Sequence, residues 1–120
     1  MNWYPPKTWA NSDYINISDW QRIEDNIQWV SDFYGVDLPY KAWRHTDFPT
    51  AAEIERIENN INALLDETHT FQSKFDWKLL NDIEEILLSL HAKVQELQFS
   101  VKRMGTFSAG QQVYFPLGRE

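Results

Sequence analysis

Three glutamates recur at equivalent positions of a repeated helical phrase: Glu24, Glu58 and Glu84. Carboxylates that converge inside a helical bundle can hold a metal ion or act as a general acid and base. Each of these glutamates, however, lies one residue past an apolar position of its copy. That placement favours a role on the outer face of a helix, or in pairing one helix with another. We therefore predict that they do not form an active site.

The histidines do not suggest a metal centre either. His45, His69 and His91 lie in separate segments, and the chain contains no cysteine. A zinc site needs ligands that the fold brings together, commonly two on one helix or a pair of thiolates. The chain also has no glycine-rich phosphate loop and no nucleophile elbow. We predict a protein that is not an enzyme and that binds no metal or cofactor.

The glutamates belong to three copies of a helix-forming segment. QRIEDNI at 21–27 returns as ERIENNI at 55–61, an offset of 34 residues, and a weaker copy follows after a further 26 residues. Each copy spaces its apolar residues by three, four and three, which is the stripe that one face of an α-helix presents to a core. The sequence therefore predicts a mainly α protein, a three-helix bundle built from degenerate helical repeats.

The predicted helix starts lie at equivalent positions of the three copies. Asn16, Thr50 and Asp76 can each accept a hydrogen bond from the first free backbone N–H groups of a helix. Thr50 and Glu53 have the spacing of a capping box, and Asn16 and Asp19 form an aspartate version of it. These residues predict where each helix begins.

The predicted helix ends depend on fewer residues. The first helix should stop near Gly35, because glycine readily adopts the left-handed conformation that closes a helix. The second should fray around Thr68 to Thr70, and the third should run from Trp77 to Met104.

Two arginines and two asparagines also recur. Arg22 and Arg56 each follow a carboxylate by three residues, so we expect an ion pair within each helix. Asn26 and Asn60 flank core positions. They either form a buried hydrogen bond that sets the register of the helices or remain exposed polar residues.

The third helix is predicted to be much the longest. Its 28 residues would span about 42 Å, against about 27 Å for a helix of about 18 residues. Its apolar residues alternate by three and four, as in a coiled coil, so the far end should extend beyond the other helices. Either a partner chain covers this end or the terminal arms fold back over it. The candidate partner interface consists of Val94, Leu97, Val101, Met104, Trp3, Trp9, Phe107 and Phe115.

The chain should form a single domain, residues 1–120, with three parts. Residues 1–15 are predicted to be an extended aromatic arm, residues 16–104 the three-helix region, and residues 105–120 a tail with a short hairpin or strand. The third helix is the coiled-coil-like element of this arrangement.

Charge and composition limit the partners. The net charge of −7 disfavours nucleic acid and anionic membranes as partners. No apolar run is long enough to span a membrane and the first residues do not resemble a secretory signal, so we expect a soluble protein made without a leader. Six tryptophans are more than a small core normally holds. Some of them should lie at a protein–protein interface, and a homo-oligomer is expected.

Three runs resemble a known class of proteins: PPKTWANSDYINISDWQRIEDNI, FPTAAEIERIENNI and KRMGTFSAGQQVYFPLG. They are similar to modules of small structural proteins encoded among the tail and baseplate genes of phages and prophages of Gram-positive bacteria. The resemblance implies a non-enzymatic virion component, made in the host cytoplasm, whose partners are other tail or baseplate proteins.

A second hypothesis belongs to a different functional class. A small acidic phage protein can inhibit a host nucleic-acid-binding protein by presenting carboxylates in place of phosphates. Such a mimic needs its carboxylates in one continuous stripe, whereas here they are spread over three predicted helices. This distribution favours the structural module.

Overall fold

A computed structural model describes the backbone of residues 2–104 and the side chains of residues 2–99. Within this part the chain forms three helices and no strand: α1 (Ile17–Tyr34), α2 (Ala51–Ala63) and α3 (Trp77–Met104). The helix α1 packs against both of the others. The predicted mainly α fold with three helices is confirmed. The predicted hairpin or strand of residues 105–120 lies outside the described residues.

The starts of α1 and α3 are the predicted ones. Asn16 accepts a hydrogen bond from the Asp19 backbone N–H at 3.1 Å, and the Asp19 carboxylate accepts one from the Asn16 N–H at 3.0 Å. The predicted capping box of α1 is therefore confirmed. The Asp76 carboxylate accepts from the backbone N–H groups of Lys78 and Leu79 at 2.9 and 3.2 Å, which caps α3 in the same way.

The start of α2 differs from the prediction in one respect. Thr50 caps the helix by accepting from the Glu53 backbone N–H at 3.2 Å. The Glu53 side chain does not complete a capping box, because its carboxylate binds Lys41 at 2.8 Å and Arg56 at 2.9 Å. These bonds lower the pKa of Glu53, with the hydrogen bond from Lys41 as the largest cause. The carboxylate thus ties the linker to α2.

One helix end is as predicted and another is not. Gly35 closes α1 in the left-handed conformation, with φ of 70°. The helix α2 ends at Ala63, before the predicted fraying at Thr68 to Thr70. Beside this end, the Asn62 side chain binds both backbone groups of His69, accepting from its N–H at 2.8 Å and donating to its carbonyl at 3.1 Å. The chain therefore turns back directly after α2.

The three helices bury their apolar stripes in one core. On α3 the stripe from Leu80 to Val94 is buried within the chain itself, and Val94 is 0% exposed. The next stripe residue, Leu97, is 37% exposed. The stripe of α3 therefore leaves the core between these two residues. The core contains Trp9, Trp20, Ile23, Ile27, Val30, Trp43, Ile57, Ile61, Leu64, Leu79, Leu80, Ile83, Leu87, Leu90 and Val94.

The segments before α1 and before α2 are non-helical and lie on the helices. Residues 2–16 contact α1 and α3, and the linker after Gly35 contacts α1. Each segment contributes one buried tryptophan to the core, Trp9 and Trp43, which are 2% and 8% exposed. Among the described residues, no helix combines the length and the apolar composition that crossing a bilayer requires.

Candidate functional site

A cluster of a tryptophan, a glutamate and an arginine joins the N-terminal segment to α3 and α1. The Trp9 indole N–H donates to the Glu84 carboxylate at 3.0 Å, and Arg22 forms an ion pair with the same carboxylate oxygen. The Asn81 side chain binds both backbone groups of Trp9: it accepts from the N–H at 2.7 Å and donates to the carbonyl at 2.9 Å. Arg22 also pairs with Asp19 at 2.8 Å, as predicted. One carboxylate therefore holds three parts of the chain together.

A second cluster of the same composition joins the linker to α1 and α2. The Trp43 indole N–H donates to the Glu24 carboxylate at 2.9 Å, and its backbone N–H donates to the Gln21 side chain at 2.8 Å. Arg56 binds both Glu24 oxygens, one of them at 3.0 Å, and the predicted pair with Glu53 is present. The hydrogen bond to Glu24 is the main cause that raises the pKa of Arg56.

Both clusters are buried. Glu24 and Glu84 are 1% and 2% exposed. A charge at such a depth is tolerated only when a partner and hydrogen bonds compensate it, and each glutamate has a guanidinium and an indole N–H. These glutamates thus pair helices, one of the two roles predicted for them. Burial excludes the outer-face role, because segments distant in sequence cover them.

The glutamate at the corresponding position of α2, Glu58, lies in a different environment. Glu58 is half-buried and has no hydrogen bond or ion pair with any described residue. Partial burial, and to a lesser extent the charge of Glu55, raise the pKa of the Glu58 carboxyl. The arginine of the repeat is replaced by Asp82, whose carboxylate lies 2.7 Å from the His69 imidazole. A third cluster of this kind is therefore not present among residues 2–99.

The asparagines of the repeat are buried, which excludes the predicted exposed role, but their hydrogen bonds are not the predicted ones that set the register of the helices. Asn26 accepts from the Tyr4 backbone N–H and donates to its carbonyl, both at 2.9 Å. Asn60 donates to the Pro39 carbonyl at 2.8 Å. They bind the non-helical segments and do not pair with another helix. Among the described residues, no group of three possible ligands is placed to hold a metal ion.

The residues of the predicted partner interface occupy different environments. Val94 and Trp9 are buried within the chain. Trp3 is half-buried, because its ring stacks on His91 with a centroid distance of 4.0 Å and also contacts Trp29. The side chains of the other four predicted residues lie outside the described part: Val101, Met104, Phe107 and Phe115.

Leu97 is the described member of the predicted interface that is exposed to solvent. It lines a surface depression together with Tyr34, Val36 and Leu65, at the point where α3 passes the end of α1. Tyr34 and Val36 are 37% and 38% exposed. The end of the bundle therefore presents apolar side chains from α1, α3 and the loop after α2.

Sequence reasoning missed the role of the two buried tryptophans. The offset that aligns the first two helices also aligns Trp9 with Trp43 and Lys7 with Lys41. Each lysine lies over the ring of its tryptophan, at 4.2 and 4.9 Å from the centroid. From this alignment alone it could have been predicted that the similarity of the two copies begins before the helices.

Compared with known proteins, the chain matches no family model, and no curated protein or solved structure is significantly similar to it. Function must therefore be inferred from the contacts and surfaces of the chain itself.

Proposed function

We propose that this protein is a non-enzymatic structural module that mediates protein–protein assembly in the tail or baseplate of a phage. The observation that carries the proposal is the course of α3. Its apolar stripe leaves the core after Val94, and Leu97 is 37% exposed, while the helix continues to Met104. The same spacing of three and four continues in sequence through Val101 and Met104. A second copy of α3 would cover this stripe in a coiled-coil-like contact.

The magnitude of apolar burial supports self-association. Each large aliphatic side chain taken out of water contributes about 1.5–3 kcal/mol. Leu97 is 37% exposed, so its burial would add only a fraction of that amount, and the following stripe positions Val101 and Met104 would have to add to it to offset an association cost of about 4–15 kcal/mol. The end of the stripe and the depression beside Leu97 would together form the contact.

The rest of the bundle is consistent with a scaffold. The proposed architecture is a set of degenerate helical repeats that are joined by buried ion pairs and contacted by an extended N-terminal arm. Its buried carboxylates are used to join segments: Glu24 and Glu84 each accept from one indole and one guanidinium. This use supports a structural role for the charged residues. The phage assignment itself depends on the resemblance of the three sequence runs.

Sedimentation of matched variants tests the assembly surface. We expect the wild type to sediment as an oligomer and Leu97→Asp as a folded monomer, because a buried unpaired carboxylate opposes association by several kcal/mol. Leu88→Asp is the control, since Leu88 is 50% exposed on the same helix but lies off the stripe. A wild type that stays monomeric at high concentration would refute the oligomer. Proteomics of purified particles, in which a structural module has a fixed copy number, tests the virion assignment.

A further inference from the structure

Two non-helical segments of this chain bind helices in the same way, and we call them straps. The first strap is residues 4–13 and the second is residues 38–47. On α3 the first strap is held by two side chains one turn apart: Asn81 accepts the Trp9 backbone N–H, and Glu84 accepts its indole N–H. We call such a pair of side chains an acceptor pair. It recognises a tryptophan by both of its N–H groups.

The acceptor pair on α1 holds the second strap with nearly identical geometry. Gln21 accepts the Trp43 backbone N–H at 2.8 Å and Glu24 accepts its indole N–H at 2.9 Å. The corresponding distances on α3 are 2.7 and 3.0 Å. The Trp43 ring also stacks on Trp20 of α1, with a centroid distance of 5.4 Å. The acceptor pair is therefore a recurring means of recognition in this fold.

The straps share a sequence and an internal turn. Both contain Pro-x-Lys-x-Trp followed four residues later by aspartate, as YPPKTWANSD and LPYKAWRHTD. In the first strap Asp13 accepts from the Ala10 backbone N–H at 2.8 Å, and in the second Asp47 accepts from the Arg44 N–H at 2.8 Å. The turn after the tryptophan thus depends on contacts within the strap itself. A strap is a compact recognition element of about ten residues.

The helix α2 carries a third acceptor pair, and neither of the two straps lies on it. Glu55 and Glu58 occupy the positions of Gln21 and Glu24 in the repeat. Glu55 is exposed and Glu58 is half-buried, whereas Glu24 is buried beneath its strap. Ile54, half-buried at the position of the stacking tryptophan of α1, supplies an apolar surface beside them.

Within the part of the chain that the structure describes, no strap lies on Glu55 and Glu58. The segment between α2 and α3 has Glu67 and His69 in place of the lysine and tryptophan of a strap. The third copy of the repeat follows the second after 26 residues, whereas the second follows the first after 34. The Asn62 side chain binds the His69 backbone beside the end of α2. The segment therefore lacks the tryptophan of a strap, and its residue at that position is held beside Asn62 and Asp82.

We propose that Glu55 and Glu58 of α2 bind a strap from another protein, a segment of the sequence class Pro-x-Lys-x-Trp. Its tryptophan would donate its backbone N–H to Glu55 and its indole N–H to Glu58, with the ring on Ile54. The two carboxylates would attract the lysine of the segment. A second copy of this chain is not the donor, because both of its straps are already engaged, with tryptophans 2% and 8% exposed.

The missing arginine indicates a further property of the partner. In the occupied sites a helix of this chain supplies a guanidinium to the glutamate, but at the third position the repeat has Asp82. The partner must therefore bring the compensating cation for Glu58, as an arginine or lysine close to its strap. This site is separate from the end of α3, so the two surfaces are tested independently.

Titration with a synthetic strap tests the proposal. The probe is the peptide LPYKAWRHTD, and the measurement is isothermal calorimetry together with amide NMR shifts of the full-length protein. We expect one peptide to bind, with shifts at residues 54–58. Glu58→Gln should weaken the binding at least about tenfold, because it removes a charged acceptor. A peptide with phenylalanine for tryptophan should also bind more weakly, since it lacks the indole N–H.

The control variant is Glu96→Gln, which removes an exposed carboxylate of α3 away from the repeat positions and should leave the affinity unchanged. Absence of binding at millimolar peptide, or binding that Glu58→Gln does not weaken, overturns the proposal. Shifts centred on Glu24 or Glu84 would also overturn it, because they would show exchange with a strap already in place. None of these outcomes affects the sedimentation of Leu97→Asp, so failure of this site and failure of the proposed oligomer are distinguishable.

Discussion

Neutralising Glu24 should destabilise the protein far more than neutralising its repeat equivalent, Glu58. The substitution Glu24→Gln keeps the shape of the side chain but removes the charge and one acceptor oxygen. The wild-type carboxylate is 1% exposed, accepts the Trp43 indole N–H at 2.9 Å and binds Arg56 through both oxygens. The glutamine must turn its own NH2 group towards one of these donors.

The size of the stability loss depends on the groups that Glu24→Gln leaves without a charged partner, chiefly Arg56. Removing one member of a buried ion pair typically costs 3–5 kcal/mol, because the other charge stays buried. Arg56 keeps its bond to Glu53 at 2.9 Å, and its side chain is 19% exposed. We therefore expect a loss at the lower end, about 3 kcal/mol, which corresponds to a decrease in Tm on the order of 10 °C.

Urea denaturation followed by circular dichroism and tryptophan fluorescence measures this loss. The variant Glu58→Gln is the matched control: the same substitution at the equivalent position of α2, where the carboxylate has no partner among the described residues. We expect its free energy of unfolding to stay within about 0.5 kcal/mol of wild type. Equal effects of the two substitutions, or a loss below about 1 kcal/mol for Glu24→Gln, would refute the assignment of Glu24 to a buried ion pair.

Two further predictions concern the N-terminal segment. Trp9→Phe should cost about 1–3 kcal/mol, because it leaves Glu84 without its indole donor, and chemical denaturation measures the loss; a stability equal to wild type would contradict the role of the indole N–H. Burial lowers the pKa of His91, so its neutral form is favoured in the folded chain and stability should fall as the pH decreases below about 6.5, the value expected in the unfolded chain. His91→Phe should reduce the difference in Tm between pH 7.5 and pH 5.5, and an unchanged difference would exclude His91 as its source.

The ends of the helices could be predicted from the sequence where contacts between nearby residues determine them. The starts at Asn16 and Asp76 depend on side chains that bind N–H groups no more than three residues away, so they can be identified in the sequence. The stop at Gly35 depends on the conformational freedom of a single residue. The end of α2 was predicted wrongly: the helix ends at Ala63, and the hydrogen bonds of Asn62 with the backbone of His69 cannot be read from the helical pattern.

The candidate sites were predictable only in part. The spacing of α3 indicated that its stripe extends beyond the other helices, and the exposure of Leu97 is in keeping with this. The glutamates were recognised as a repeated feature, but whether each is buried depends on which segment lies over it. On α2 the equivalent position is half-exposed, although the phrases QRIEDNI of α1 and ERIENNI of α2 are nearly identical.

The helices and their apolar stripes follow mainly from interactions within three or four residues, which is why the amino-acid pattern predicts them. The pairing of Trp9 with Glu84 joins residues 75 positions apart, and that of Arg56 with Glu24 joins residues 32 apart. Such contacts form only when the whole chain is folded, because the burial of a charge is set by everything packed around it. Tertiary structure therefore decided that Glu24 and Glu84 are members of buried ion pairs, whereas Glu58 is half-buried and pairs with no residue in the described part of the chain.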